Sequence, residues 1–104
     1  MAWVVLVLSG LFEAVWATAL SRIDSWGRTG PIVVFVLGLS VSMAGLGWAM
    51  RSIPVGTAYA VWVGIGAATT VGYAVASGAE PFGWLKLLLV LGIIACVVGL
   101  KLVP

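Results

Sequence analysis

Four long apolar runs, each interrupted by a short polar or turn-forming stretch, account for almost the whole chain. The first runs from Ala2 to Leu20 and ends in Ser21-Arg22-Ile23-Asp24-Ser25-Trp26-Gly27-Arg28-Thr29-Gly30-Pro31, where charges and glycines displace the apolar residues. Pro31 stands where the first turn of a following helix tolerates it. The second break is Arg51-Ser52-Ile53-Pro54-Val55-Gly56, and the third is Ser77-Gly78-Ala79-Glu80-Pro81-Phe82-Gly83. A helix needs about 20 mostly apolar residues to cross a bilayer. The runs therefore predict spans at about residues 3–20, 31–50, 57–76 and 84–103. The expected architecture is an all-α integral membrane protein, a single four-transmembrane-helix bundle over residues 1–104 with short turns.

Composition agrees. Of the 104 residues 63% are hydrophobic and 8% charged, and the mean hydropathy is +1.27, well above the roughly 45–50% apolar content of soluble domains. Four spans leave room for short loops only, and one subunit of this size is too small to enclose a wide aqueous path, which implies an oligomer. Five basic residues form no patch of the kind nucleic acid requires. Histidine is absent and Cys96 is a lone thiol within an apolar run. No disulfide framework, metal spacing or nucleophile–base pair is expected, and so no metal, cofactor or enzyme chemistry. Cys96 reads as a small packing residue.

Ala17-Thr18-Ala19 imitates a signal-peptide cleavage site. No positive charge precedes the run, however, and Glu13 interrupts what would be the uncharged core of such a peptide, so the first run is expected to remain as a working span. Among the six tryptophans, Trp3, Trp26, Trp48 and Trp84 lie at expected span edges, where an indole anchors at the headgroups. Trp16 and Trp62 lie inside their spans, where the indole N–H needs a partner or a cavity. Basic residues are nearly balanced between the two sides, with Arg51 and Lys101 on one and Arg22, Arg28 and Lys86 on the other. Such a balance permits insertion in both orientations; it is equally what so few charges give when they carry no orientation signal.

One carboxylate, Glu13, sits in the middle of the first span. A charge at the centre of a membrane helix costs roughly 2.5–3.5 kcal/mol on insertion scales and is kept mainly where it functions. Gly10, Glu13, Trp16 and Ala17 share one face of that span, and Tyr59, Trp62 and Gly66 share one face of the third. Ser42 lies near the middle of the second, with Ser40 off that face. A carboxylate, a phenol, an indole and a hydroxyl can converge, the donors satisfying the carboxylate. Such a site can hold a proton or a small cation in competition, and exchange of one for the other is the simplest mechanism. Gly64 and Gly66 bracket Ile65 and mark either a helix kink or close packing. Gly92, Ala95, Cys96 and Gly99 form a small-residue stripe on the fourth span, suited to helix association and read as a dimer contact.

The run Pro54-Val55-Gly56-Thr57-Ala58-Tyr59-Ala60-Val61-Trp62, continuing into Gly64-Ile65-Gly66-Ala67, together with Glu13, resembles the small multidrug resistance family of exporters over the whole chain. Phe12-Glu13 with Trp16, and Thr57 in Gly-Thr-Ala-Tyr-Ala, resemble its guanidinium-exporter subtype. The resemblance implies an antiparallel, dual-topology dimer in the bacterial inner membrane, whose two central glutamates bind either protons or one guanidinium-type cation. Glu13 would be the shared proton and substrate carboxylate, and Trp16 and Ser42 would hydrogen-bond and orient it. Tyr59 and Trp62 would line and gate the site, and Gly10 would leave room beside it. Val63 and Cys96 differ from the threonine and the glycine common in the family at those positions. The partner is then a second copy or a paralogous subunit. The alternative substrates are quaternary ammonium or aromatic cations. A proton-conducting ring subunit would also bury one carboxylate among glycines, but as a two-helix hairpin.

Overall fold

A computed structural model describes residues 1–23 and 29–103. Trp26, expected as an edge anchor, and the loop charges Asp24 and Arg28 lie outside the described residues. Four helices follow in order: α1 (Ala2–Ser21), α2 (Thr29–Ala49), α3 (Val55–Ala76) and α4 (Trp84–Leu102). They hold 20, 21, 22 and 19 residues, which at 1.5 Å per residue span about 30 Å, the thickness of a bilayer's hydrocarbon core. All four are long and apolar enough to cross a membrane.

Helices α2 and α3 each begin two residues ahead of the expected spans, for a local reason in each case. Helix α2 starts at Thr29, which leaves Pro31 in its first turn, where an amide would have no helical partner in any case. Helix α3 starts at Val55 because Pro54 takes the N-cap with φ −53°, and the Pro54 carbonyl accepts from the Ala58 amide at 2.9 Å. At its other end Gly78 adopts φ +82°, the left-handed conformation that ends a helix without steric cost to glycine.

Helix α1 packs against both α2 and α3, whereas α4 packs on α3. The buried cluster of Leu6, Leu46, Ala49, Ile53, Ala58, Val61 and Trp62 lies where α2 turns into α3. Ile53 belongs to the turn itself, yet it is buried and its amide donates to the Ala49 carbonyl at 3.0 Å. The turn is thus folded onto the core and draws α2 and α3 together at this end. At the opposite end the two helices leave a cleft of about 510 Å³ over the C-terminal half of α1, lined by Leu11, Val15, Thr18, Arg22, Val34 and Tyr73 among others.

Helix α4 buries no residue. Its approach to α3 centres on Gly64, where a Cβ would stand 2.6 Å from Val97 Cγ2 and 3.5 Å from Ile93 Cγ2. Trp48 and Trp84 are exposed at their edges, and the Lys101 ammonium lies 5.5 Å from the centroid of the Trp3 ring. That cation–π contact puts the start of α1 and the end of α4 on one side of the bundle, as an even number of spans requires. Lys86 reaches Glu80 at 3.3 Å in an exposed pair, a type worth at most about 1 kcal/mol.

The Gly64 approach yields a stability test. Val97 is β-branched and stiff, so Gly64→Ala should force α4 away and cost about 1–3 kcal/mol. Gly72, which faces open space, should gain up to about 1 kcal/mol from Gly72→Ala through helix propensity alone. Thermal unfolding in detergent should therefore move in opposite directions for the two variants.

Candidate functional site

The site forms where α1 crosses α3, and glycine makes the crossing possible. A Cβ on Gly10 would stand 3.0 Å from Ile65 Cβ and 3.3 Å from the Trp62 carbonyl. One turn further along α1, Glu13 lies against Gly66, and a Cβ on Gly66 would overlap the Glu13 carboxyl group. The carboxylate therefore occupies the space of the side chain that α3 lacks. On the adjoining flank of α1, Gly38 of α2 receives Trp16, where a Cβ would lie 3.1 Å from Trp16 Cβ. The Trp16 ring meets Phe35 edge-on with centroids 6.1 Å apart.

Among the described residues, two buried side-chain atoms have no hydrogen-bond partner: Glu13 Oε2 and Trp16 Nε1. A carboxylate oxygen that accepts nothing inside a bundle is a costly arrangement unless an ion or a donor comes to it. Two other polar side chains of the junction are engaged with each other. The Trp62 indole donates to Ser42 Oγ at 3.1 Å, and the Ser42 hydroxyl donates to the Ser9 carbonyl at 2.7 Å. Both side chains are buried, Ser42 completely. The sequence reading puts the Ser42 hydroxyl on the carboxylate; within the chain it is spent on a backbone carbonyl one turn away.

The structure gathers Gly10, Glu13, Trp16, Ser42, Trp62 and Gly66 around the α1–α2–α3 junction. Tyr59 lies at the edge of that group: it is 53% exposed, and its ring packs beside Trp62 with centroids 5.9 Å apart. Ser40 is exposed and donates to its own helix at Val36, so it takes no part. Helix α3 runs unbroken through Gly64 and Gly66, and each glycine marks a close approach, to α4 and to α1 respectively. Close packing was one of the two roles the sequence left open for them.

On α4, Gly92 and Gly99 face open space, and Ala95 and Cys96 are exposed, so nothing in the chain itself covers the small-residue stripe. A packing role for Cys96 would accordingly need a second chain. Sequence reasoning missed Ser9, Gly38 and Gly45. Ser9 lies four residues before Glu13 and hence on its face, while Gly38 and Gly45 lie four before and three after Ser42. Helical spacing alone could have found all three.

The family described as Small Multidrug Resistance protein matches the chain over residues 1–100. The chain belongs to the small multidrug resistance family. A guanidinium exporter of Escherichia coli (strain K12) is 49% identical over 106 aligned positions, covering 98% of this chain and 97% of that protein. Guanidinium exporters of Citrobacter freundii and Salmonella typhimurium are each 45% identical over 105 positions, with the same shares covered. These relatives are named as exporters, which points to transport and away from an enzyme. Four apolar spans and bacterial relatives make this small multidrug resistance protein a multi-pass protein of the bacterial inner membrane.

The two interior tryptophans should respond differently to loss of the indole N–H. Trp62→Phe leaves Ser42 without its donor and should cost about 1–3 kcal/mol. Trp16→Phe removes an N–H that has no partner and should be close to neutral for stability. Thermal unfolding of the two variants in one detergent checks the contrast.

Proposed function

We propose that this small multidrug resistance protein is a proton-coupled antiporter that exports guanidinium or small guanidinyl cations, with proton and cation competing for Glu13. The observation that carries the reading is the buried, unpartnered Glu13 Oε2 beside Gly66. A carboxylate is an acceptor only, and a guanidinium group offers a planar fork of N–H donors that matches it and stays charged at any cellular pH. The guanidinium exporters named among the relatives support this choice of substrate. Because cation and proton use the same oxygens, one excludes the other, and a site that moves only when loaded exchanges them across the membrane.

In this reading Trp16 and Trp62 wall the site and Gly10 and Gly66 give the carboxylate its room. Tyr59, exposed in the single chain, would complete the wall against a partner subunit. The partner is a second copy of the chain, or a paralogous subunit, inserted in the opposite orientation. Gly92, Ala95, Cys96 and Gly99 would supply its contact, since small residues let membrane helices approach closely. The stripe's lack of cover within the chain supports this.

Liposomes reconstituted with this chain alone should take up guanidinium as protons leave an acidic interior, and Glu13→Gln should abolish the uptake. Guanidinium should bind less tightly as pH falls, by up to about tenfold per unit once protons outcompete it, because each proton bound removes one cation site. Binding that is independent of pH would break the competition, and uptake of quaternary ammonium in place of guanidinium would reassign the substrate.

The dimer contact has its own test. A Cβ added at Gly92 has no neighbour within 4 Å in the chain, and Gly92→Leu should leave the helices intact by circular dichroism. The same change should shift the protein from dimer to monomer in light scattering of the detergent complex.

A further inference from the structure

Helices α2 and α3 hold α1 at its middle and part from each other toward its end. Gly38 and Gly66 mark the two contacts, against Trp16 and Glu13. Val34 and Pro31 continue the Gly38 face of α2, four and seven residues before it, and Thr69 and Tyr73 continue the Gly66 face of α3, three and seven residues after it. These residues line the two walls of the cleft of about 510 Å³, and Leu11, Val15, Thr18 and Arg22, one stripe of α1, line its floor. Leu11 and Val15 each lie two residues from Glu13, which at about 100° per residue turns them to the opposite side of the helix. The cleft is therefore separate from the Glu13 side of α1.

We propose that the cleft binds one acyl chain of an anionic phospholipid, with the lipid phosphate on Arg22. Its length fits one leaflet. Leu11 stands at the midpoint of α1 and Arg22 caps its C-terminus, about 16 Å apart along the axis, and half of a hydrocarbon core about 30 Å thick is nearly the same length. The inner end of the cleft, at Leu11, Ala14 and Val15, is apolar, and on the α3 wall the Thr69 hydroxyl donates to the Ile65 carbonyl at 2.7 Å. Ordered water needs about two to four polar partners, and the side chains at this end offer it none.

The mouth has the opposite chemistry. Arg22 is exposed at the end of α1 and Tyr73 lies three residues before the end of α3, both on the side of the bundle where α2 begins. A guanidinium presents a fork of donors that matches phosphate, tyrosine is favoured at headgroup level, and basic pockets between spanning helices take acidic headgroups. A helix of a second chain is a poorer occupant, since at about 10 Å across the same length of it has roughly twice the volume of the cleft. A lipid chain seated there fills the gap between α2 and α3 at the end where they stand apart, as the turn through Ile53 joins them at the other.

The test reads lipid binding to the full, delipidated chain in detergent by native mass spectrometry, with phosphatidylglycerol and phosphatidylcholine of the same acyl chains as probes. Phosphatidylglycerol should bind about fivefold more tightly than phosphatidylcholine, the effect of one arginine near an anionic surface. Arg22→Gln should remove that preference and leave phosphatidylcholine binding unchanged. Arg51→Gln, at the other end of the bundle, should keep the preference. Val15→Trp, which fills the cleft from its floor, and Val34→Trp, which fills it from the α2 wall, should each abolish binding of both lipids. Circular dichroism checks that the helices remain in these two; where they do not, Arg22→Gln, at an exposed position, decides alone.

A preference that survives Arg22→Gln, or that falls as far in Arg51→Gln, would mean diffuse attraction to the surface and overturn the site. So would equal binding of the two lipids, or retention of both by folded Val15→Trp and Val34→Trp. Displacement of phosphatidylglycerol by inorganic phosphate would make the ligand a free anion and sink the lipid assignment. If the two tryptophan variants turn the protein from dimer to monomer in light scattering, the cleft belongs to a partner chain and the assignment fails as well. None of these readouts needs transport, so the outcome is independent of the guanidinium reading.

Discussion

The carboxyl group of Glu13 lies in the space left by the missing side chain of Gly66, and most of the arrangement follows from housing it there. A charge at the centre of a span is costly in hydrocarbon, roughly 2.5–3.5 kcal/mol on insertion scales, so it must face protein. For α1 to present it to α3, the two helices must come close, which needs glycine at position 10 as well as at 66. Turning Glu13 toward α3 turns Trp16 toward α2, where Gly38 admits it. Lipid supplies no hydrophobic drive for helices to associate, so such small-residue approaches, together with interhelical hydrogen bonds, hold α1, α2 and α3 together.

The polar groups within this junction divide into two sets. Trp62, Ser42 and the Ser9 carbonyl satisfy one another and tie three helices at one level. Glu13 Oε2 and Trp16 Nε1 are left without partners at the next turn. A membrane protein gains stability from the first set and none from the second, so the second set is where work on a ligand is expected.

The fold was legible because hydrocarbon leaves little choice: twenty apolar residues between prolines, glycines and charges form a spanning helix almost regardless of detail. The place of Glu13 inside a span was legible for the same reason, since one carboxylate stands out in an apolar run. The hydrogen bonding was not. Ser42 has one donor and several acceptors within reach of α2, and the one it takes is a main-chain carbonyl, which leaves no mark in a pattern of side chains. Gly64 and Gly66 could be read from spacing as a hinge or as packing positions. Only the neighbours across the interface, Val97 for one and Glu13 for the other, show that each is a close approach. The outward position of Tyr59 was equally hidden, because it depends on how α3 is rotated on α1.

Helix α4 buries no residue, so one side of the bundle presents an uncovered apolar face. Its small residues bear on what covers it. Lipid tails pack as well on leucine as on glycine, so Gly92, Ala95, Cys96 and Gly99 along one stripe of α4 gain nothing from a lipid neighbour and suit a helix of a second subunit. The position of Glu13 adds a constraint on how that subunit would lie. Glu13 stands between one and two residues from the midpoint of α1, about 2 Å along the axis. A group so near the middle keeps its depth when the whole chain is inverted. An inverted pair would therefore bring two carboxylates to nearly the same level, where one cation or a pair of protons could be shared, whereas a carboxylate near a helix end would be separated from its mate by much of the bilayer. The nearly even distribution of the five basic residues puts little opposition in the way of that inversion.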